Sequence, residues 1–487
     1  RRPQPVVSAH GAVYQVWEIM FEPVLQQATG LSQIPGGPSL GKLMARKLTG
    51  DSWGTPTMIH LAGTNYSVPR NIPESDIPLV YLRLDQDQTG PVFRCEQVRI
   101  EQGIPFTVSD QHWSRWQPYH HQALKRKRYE TQVNDTPYKL YWADTHTHSV
   151  FSPDAEGEPD EIINFGRSVA GLDIMAIVDN DFYPFFGLTT LKWQIHLALA
   201  DKYTCEGAFV LFPGYEYTYH DRQLTPDFNH RYVLYPRGNG HLYKRTDAAS
   251  NTIEGLMQLL EASGAMPVAH HTTWELGKSV IDRHVEVCSS WRVCKEESDF
   301  IDKRLQRGDR FSFIGSSDTH RAVPGLGGAL TGIYARELTP EAIFDAYRSH
   351  RVIATQGNRT VIDLRVAGLF IGQAGSVQGD IPIHLTVLAD SSIDYVSLIR
   401  DGDEIKRFTG QSTQLAVSFD DQQVEPGAHA YYVTVKLIGD PSFNAPEDVV
   451  DYRQVFFSDD KTRYPHNFAR AEGPFAWCTP IWIDKTR

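Results

Sequence analysis

The chain has 487 residues, too many for one ordinary core of ~100–200, so two to four domains are expected. Its 47 basic and 59 acidic residues leave a formal charge of −12 without a basic stripe, which argues against nucleic acid as substrate or partner. No run approaches the ~20 apolar residues of a membrane-spanning helix, and five cysteines without a CxxC clip do not form a disulfide framework. Cys288 and Cys294 could bridge, two free thiols being the ordinary alternative. No signal-peptide pattern follows Arg1; a leader removed before it would place the chain in the periplasm or outside the cell, and otherwise a cytoplasmic location is expected.

Residues 1–138 are rich in Pro, Gly and Gln, and short runs at 78–84 and 96–100 predict strands, so a β-rich N-terminal domain is expected. Across 139–357 apolar strand-like runs alternate with helical segments, the pattern of a parallel α/β core. Pro159 in a first turn, Asp160 and Glu161 at the positive dipole end and Gly171 as a stop predict a helix over 159–170, with a buried strand at 172–178. A strand at 208–213 leads to Glu216, a helix at 253–263 precedes a strand at 266–269 and His270, and a strand at 311–315 leads to Asp318. Thr339-Pro340 caps a helix ending near His350, before a strand at 351–354. Across 358–487 the period becomes two, in IDLRV, IPIHLTVL, YVSLI, LAVSF and YYVTVKLI, separated by turns such as Asp401-Gly402 and Pro426-Gly427. That predicts an antiparallel β-sandwich. Internal repeats at solenoid or propeller periods are not seen.

Ligand-type residues follow predicted strands, where the loops of parallel α/β folds gather functional groups. In Asp144-Thr-His146-Thr-His148, alternate residues of an extended segment share a face, so both imidazoles can approach one ion, with Asp154 close behind. Asp179-Asn180-Asp181 emerges from a buried strand and reads equally as an Asx-rich turn. Glu216 stands in GYEYT, where a carboxylate can bridge two cations; His230 in NHRYVLY and His270-His271 in PVAHHTTW supply more imidazoles. GSSDTHRAVPG places Asp318 and His320 on one side of an extended turn. Only N and O ligands are offered, the set expected for Mn, Zn or Fe in a hydrolytic centre.

The order HTH, SPD, IVDN, GYE, NHR, VAHH, GSSDTH resembles the PHP superfamily, named for polymerase and histidinol phosphatase domains. AIFDAYRSHRVIATQG and the terminal AWCTPIWI are similar to a large, sparsely characterised branch in which the metal domain is joined to β domains. The resemblance implies a distorted (β/α)7 barrel over 139–357, flanked by the β-rich N-terminal domain and the C-terminal sandwich. It implies a first metal on His146, His148, Glu216 and Asp318, bridged through Glu216 to a second on His230 and His270. A third ion in relatives would contact the positions of Asp154, Asn180 and His320. Asn180 stands where the family carries histidine, which disfavours a third ion and leaves two divalent transition metals as the expectation.

Bimetal hydrolysis follows from that set, the ions activating water. His271, His320 or Asp154 would handle protons and Arg231 would steady developing anionic charge, an ordinary structural ion pair being the alternative for Arg231. Glu286 in HVEVCS is expected behind a ligating histidine, an ordinary inward-facing salt bridge being the equal alternative. Phosphoester hydrolysis is favoured by the resemblance. Carboxylic ester, amide, carbamate or glycoside hydrolysis is the alternative for a small-molecule or saccharide substrate, suggested by the aromatics Tyr183, Phe185, Phe186, Tyr215, Tyr217 and Trp274. A degenerate barrel that binds carbohydrate or a partner without turnover is the third alternative. GxSxG is absent, which disfavours a serine nucleophile.

Overall fold

The computed structural model describes residues 4–19, 41–72, 76–83, 92–100, 104–105, 128–152, 155, 157–182, 187–219, 229–270, 274–289, 295–297, 299–320, 322–325, 328–422, 424–439 and 474–486. The N-terminal strands are β1 (Gln4–Ser8), β2 (Val13–Ile19), β3 (Gly41–Thr49), β4 (Ser52–Trp53), β5 (Thr57–Ser67), β6 (Asn71–Ile72), β7 (Asp76–Arg83), β8 (Val92–Arg99) and β9 (Ile104–Pro105). They form one sheet, antiparallel except where β1 meets β6, over a small core that includes Val6, Val16, Leu43 and Ile77.

The central region is β10 (Glu130–Val133), β11 (Thr136–Asp144), α1 (Pro159–Ser168), β12 (Ile174–Ile177), α2 (Thr190–Tyr203), β13 (Val210–Tyr217), β14 (Arg231–Leu234), α3 (Ile253–Ser263), β15 (Met266–Ala269), β16 (His284–Cys288), α4 (Phe300–Gln306), β17 (Ser312–Gly315), β18 (Leu330–Ala335), α5 (Pro340–Arg348) and β19 (Val352–Thr355). Caps set the helix starts: Thr252 accepts from Gly255 N at 3.1 Å and Thr339 from Ala342 N at 3.3 Å, and Pro159 and Pro340 occupy first turns where no N–H is needed. Every residue of β12, β13 and β15 is buried, as expected for strands covered on both faces.

The sheet runs β17-β16-β15-β14-β13-β12-β11-β18-β19, and it corrects the expectation of a parallel core at two strands. β14 is antiparallel to both β13 and β15, and β18 is antiparallel to β11 and β19. Parallel pairing needs a crossover of a dozen or more residues, normally helical; among the described residues no helix separates β13 from β14 or β17 from β18. The path curves until its first strand meets its last, for β17 packs on β19, and the Thr331 hydroxyl donates to Gly315 O at 2.6 Å. A Cβ at Gly315 would lie 2.5 Å from Leu330 O, so this approach requires glycine.

The chain closes with β20 (Val361–Val366), β21 (Leu369–Phe370), β22 (Ala374–Val377), β23 (Ile381–Leu388), β24 (Ile393–Arg400), β25 (Asp403–Thr409), β26 (Gln414–Asp421), β27 (Gly427–Leu437), β28 (Phe475–Cys478) and β29 (Ile481–Lys485). β21-β20-β23-β26 is an antiparallel sheet, and β23 alternates buried and more exposed positions along its length. β28 pairs with β19 and β27, so the central sheet continues by hydrogen bonds into the C-terminal strands. At the other junction β10, ahead of the composition break at 139, pairs with β11. The fold is mixed α/β and strand-rich, with five α-helices among the described residues, none long and apolar enough to cross a membrane.

Candidate metal centre

Beyond Asp144 the chain stays extended, and its neighbours are stitched to it. His148 N donates to Thr319 O at 3.0 Å, Asp318 N to His146 O at 2.8 Å and Val178 N to Thr147 O at 2.8 Å. Three buried carboxylates then fix these loops through backbone amides. Asp144 accepts from Ser317 N at 3.0 Å and Gly325 N at 2.8 Å. Asp179 accepts from Ser149 N at 2.7 Å, Ser152 N at 3.0 Å and His196 Nε2 at 2.9 Å, and Asp181 from Thr218 N at 2.9 Å and Arg245 N at 2.6 Å. Desolvation is large for all three, and amide donors are what make such burial tolerable. Asp318 corrects the expected extended turn: its φ is +52°, a left-handed conformation that aspartate adopts more readily than most residues.

Glu216 lies at the middle of the cluster, and its two oxygens face different histidines. Oε2 is 3.2 Å from His148 Nε2 and 3.8 Å from His146 Nε2; Oε1 is 2.8 Å from His230 Nδ1 and 3.2 Å from His270 Nε2. Asp318 Oδ1 is 3.3 Å from His146 Nε2 and 3.2 Å from His148 Nε2. These last contacts lack hydrogen-bond geometry, and His146 Nε2, His148 Nε2 and Asn180 Oδ1 are buried polar atoms without a hydrogen-bond partner. Two ligands each ~2.1 Å from one ion, at angles between octahedral and tetrahedral, stand roughly 3.0–3.4 Å apart, the spacing of Asp318 to His146 and His148 and of Glu216 to His148 and His270. Among the described residues, four groups of side chains have donor atoms mutually within 4.8 Å: His146, His148 and Glu216; Glu216, His230 and His270; His148, Asp318 and His320; His146, His270 and Glu286. The nitrogen and oxygen donor set fits divalent metals.

Protonation points the same way. Burial disfavours charge on His146 and His148, but Asp318, Glu286 and Glu216 outweigh it at His146, which is held well above the usual imidazole range. Asp318 and Glu216 push His148 up to about 10. Burial also opposes charge on Glu216 and Asp318, yet the surrounding imidazoles hold both carboxyls below the usual range. His270, by contrast, is pushed down to about 3 by burial, leaving a neutral ring. Without cations, protons on His146 and His148 balance the carboxylates.

Of the other expected site residues, Asn180 is in the cluster, but its amide donates to Glu216 Oε2 at 3.0 Å. His320 is partly exposed at the rim, stacked on His148 with ring centroids 4.2 Å apart. Asp154 and His271 lie outside the described residues, as do Cys294, Tyr183, Phe185 and Phe186. Arg231 is corrected. Its guanidinium is fully buried, with Nε on Asp282 Oδ1 at 3.0 Å and the remaining N–H groups on Asp282, Asn229, His230 O and Glu275 O, so none is left for a substrate. Tyr215, Tyr217 and Trp274 are core residues. Sequence reasoning missed Ser152 and His196 behind His148, and Tyr232, whose ring lies 4.6 Å from that of His146. The HxH motif carries no signal for His196 or Tyr232 so far along the chain, whereas Ser152 stands four positions from His148, in the SPD triplet.

No family model matches the chain. A protein of Chlamydia muridarum (strain MoPn / Nigg) described only as uncharacterized is 23% identical over 191 residues, a stretch that covers 38% of this chain and 27% of that protein's length. A crystal structure from Bacteroides vulgatus ATCC 8482, of a two-domain protein containing a predicted PHP-like metal-dependent phosphoesterase, is similar over 66% of this chain and 97% of that one, at 14% identity and a TM-score of 0.37.

Proposed function

We propose that the chain is a divalent-metal-dependent hydrolase with a binuclear centre, acting on phosphoesters. His146, His148, Glu216 and Asp318 would hold one ion, and Glu216, His230 and His270 the other. The observation that carries this is the divided Glu216 carboxylate, each oxygen turned to a different histidine pair. The order of motifs along the chain supports the same assignment, and the curved central sheet would be a distorted (β/α)7 barrel of the PHP type, flanked by β domains.

Bound divalent ions supply an activated water and polarise the electrophile. The chain's own part is to hold that centre still and manage protons. Asn180 donates to Glu216 Oε2 and so steadies the shared carboxylate, a use of the side chain that favours two ions over three. His320 Nδ1 donates to Asp318 O at 3.0 Å, which fixes its tautomer and makes Nε2 the basic nitrogen. From the rim, His320 would take or give the proton of a leaving group. The uncharged-substrate alternative loses part of its motive, because the described aromatics Tyr215, Tyr217 and Trp274 are buried in the core.

The test is reconstitution of the full chain with Mn2+ or Zn2+, elemental analysis, and turnover on phosphomonoesters and phosphodiesters. Two ions per chain and chelator-sensitive turnover are expected. Less than one ion per chain would sink the metal assignment; two ions without phosphoester turnover would remove only the substrate class.

A further inference from the structure

Glu286 is buried in the middle of β16, and its hydrogen-bond partner among the described residues is His146, Oε2 lying 2.9 Å from Nδ1. A carboxylate at this depth, without amide donors such as those around Asp144 or Asp179, is costly unless positive charge reaches it. His146 is the path for that charge. With an ion on the Nε2 side, where Asp318 and Glu216 lie, the one proton left on the ring sits on Nδ1 and is donated to Glu286. His148 is arranged differently: its Nδ1 is 3.0 Å from the Ser152 hydroxyl, which donates on to Asp179 at 2.7 Å. One imidazole is therefore backed by a carboxyl group and its neighbour by a hydroxyl.

We infer that Glu286 is a positioning residue: it holds His146 in the Nε2-donor tautomer and strengthens that nitrogen as a ligand, so that the ion on His146 depends on Glu286 and the other ion does not. This rests on the binuclear reading above. Direct ligation by Glu286, which lies within reach of a group formed with His146 and His270, is the competing geometry. An ion there would have to displace the Nδ1 proton and use the opposite edge of the ring from the one that faces Asp318.

Apo protein, wild type and Glu286→Gln, would be titrated with Zn2+ against a chromophoric chelator, with thermal melts to verify folding. The amide keeps the shape and an acceptor oxygen while removing the charge. We expect two ions per chain in both proteins, one site weakened ~10–100-fold in the variant and the other unchanged. The downfield Nδ1 proton resonance of His146 should also move upfield. Affinities in the variant equal to those of the wild type at both sites would overturn the inference, and so would a fall from two ions to one, which would make Glu286 a ligand. If Glu286→Gln does not fold, Glu286→Asp carries the same comparison, with a smaller loss expected and no loss overturning it. A wild type that takes up less than one ion fails the binuclear reading itself, and shows this before any variant is made.

Discussion

His284 and Ser312 open β16 and β17, whereas Glu286 lies farther along β16 and Asp318 follows the end of β17. The two ends of the same strands thus both bury histidines, His284 and His350 neutral at one end and His146 and His148 charged beside a neutral His270 at the other. At the N-terminal end the Ser312 hydroxyl sits 3.1 Å from His284 Nδ1 and 2.6 Å from His350 Nδ1. Burial, with arginines nearby, pushes both rings down, His350 to about 4. At the C-terminal end carboxylates push His146 and His148 up. Burial acts in the same direction at both ends, so the chemistry of the partner decides the charge. The N-terminal end is complete with neutral groups, and the C-terminal end is balanced only by protons or cations.

The strongest way to break this contrast is to remove the shared carboxylate. Glu216→Ala, or His146→Ala with His148→Ala, should eliminate bound metal by elemental analysis. Metal activation contributes several kcal/mol, so turnover should fall about 10³-fold or more. Retained turnover in either variant would end the assignment. Phe313→Ala probes the other end. Phe313 is fully buried one residue after Ser312, 5.5 Å from the ring of Tyr432 in β27. Its truncation should lower stability by about 3–5 kcal/mol in a thermal melt while leaving metal stoichiometry intact at low temperature. Loss of metal in folded Phe313→Ala protein would mean the two ends are not independent.

Protons sharpen the comparison next. His146 and His148 hold protons in the ion-free state, and a ligating imidazole must lose one, so metal affinity should rise with pH and binding should release protons near pH 7. Calorimetry in two buffers of different ionisation enthalpy reads that release directly; identical heats would contradict it. Metal at 100 times its Kd should raise stability by about 2.7 kcal/mol per site.

How far each end could be read from the sequence follows from the range of its interactions. The alternation of His146 and His148, the Thr339-Pro340 start of α5 and the run that became α3 are local, and they appear in the structure close to where the sequence placed them. Helix α2 was not anticipated: Trp193, His196 and Leu199 are buried but Leu191 and Ile195 are exposed, so its apolar residues mark no single face. The direction of β14 was equally hidden, since a short apolar run reads alike parallel or antiparallel. Arg231 looked available for a substrate because Asp282, its partner, lies 51 positions away in the sequence. The pairing of Glu286 with His146 spans 140 positions, so only its strand placement hinted at it.

The smallest expected effect is an acid-dependent loss of stability from the N-terminal end. A histidine whose pKa is lowered on folding contributes stability that is fully present above its unfolded value near 6.5. That contribution is lost as pH falls from there towards about 4, the value to which His350 is driven. The Ser312 hydroxyl has one proton to donate and sits between two Nδ1 atoms, so one neutral ring must donate to it and the other accept from it. Charging the accepting ring turns its Nδ1 into a second donor and leaves the hydroxyl proton facing it, whereas charging the donating ring leaves these bonds intact. His350 also has a φ of +57°, so His350→Asn is the substitution that preserves the left-handed backbone while removing the titration. Between pH 6.5 and 4 the melting temperature of this variant should decline less steeply than that of the metal-free wild type. Parallel declines would place the acid sensitivity elsewhere, with the carboxylates at the C-terminal end the next groups to vary.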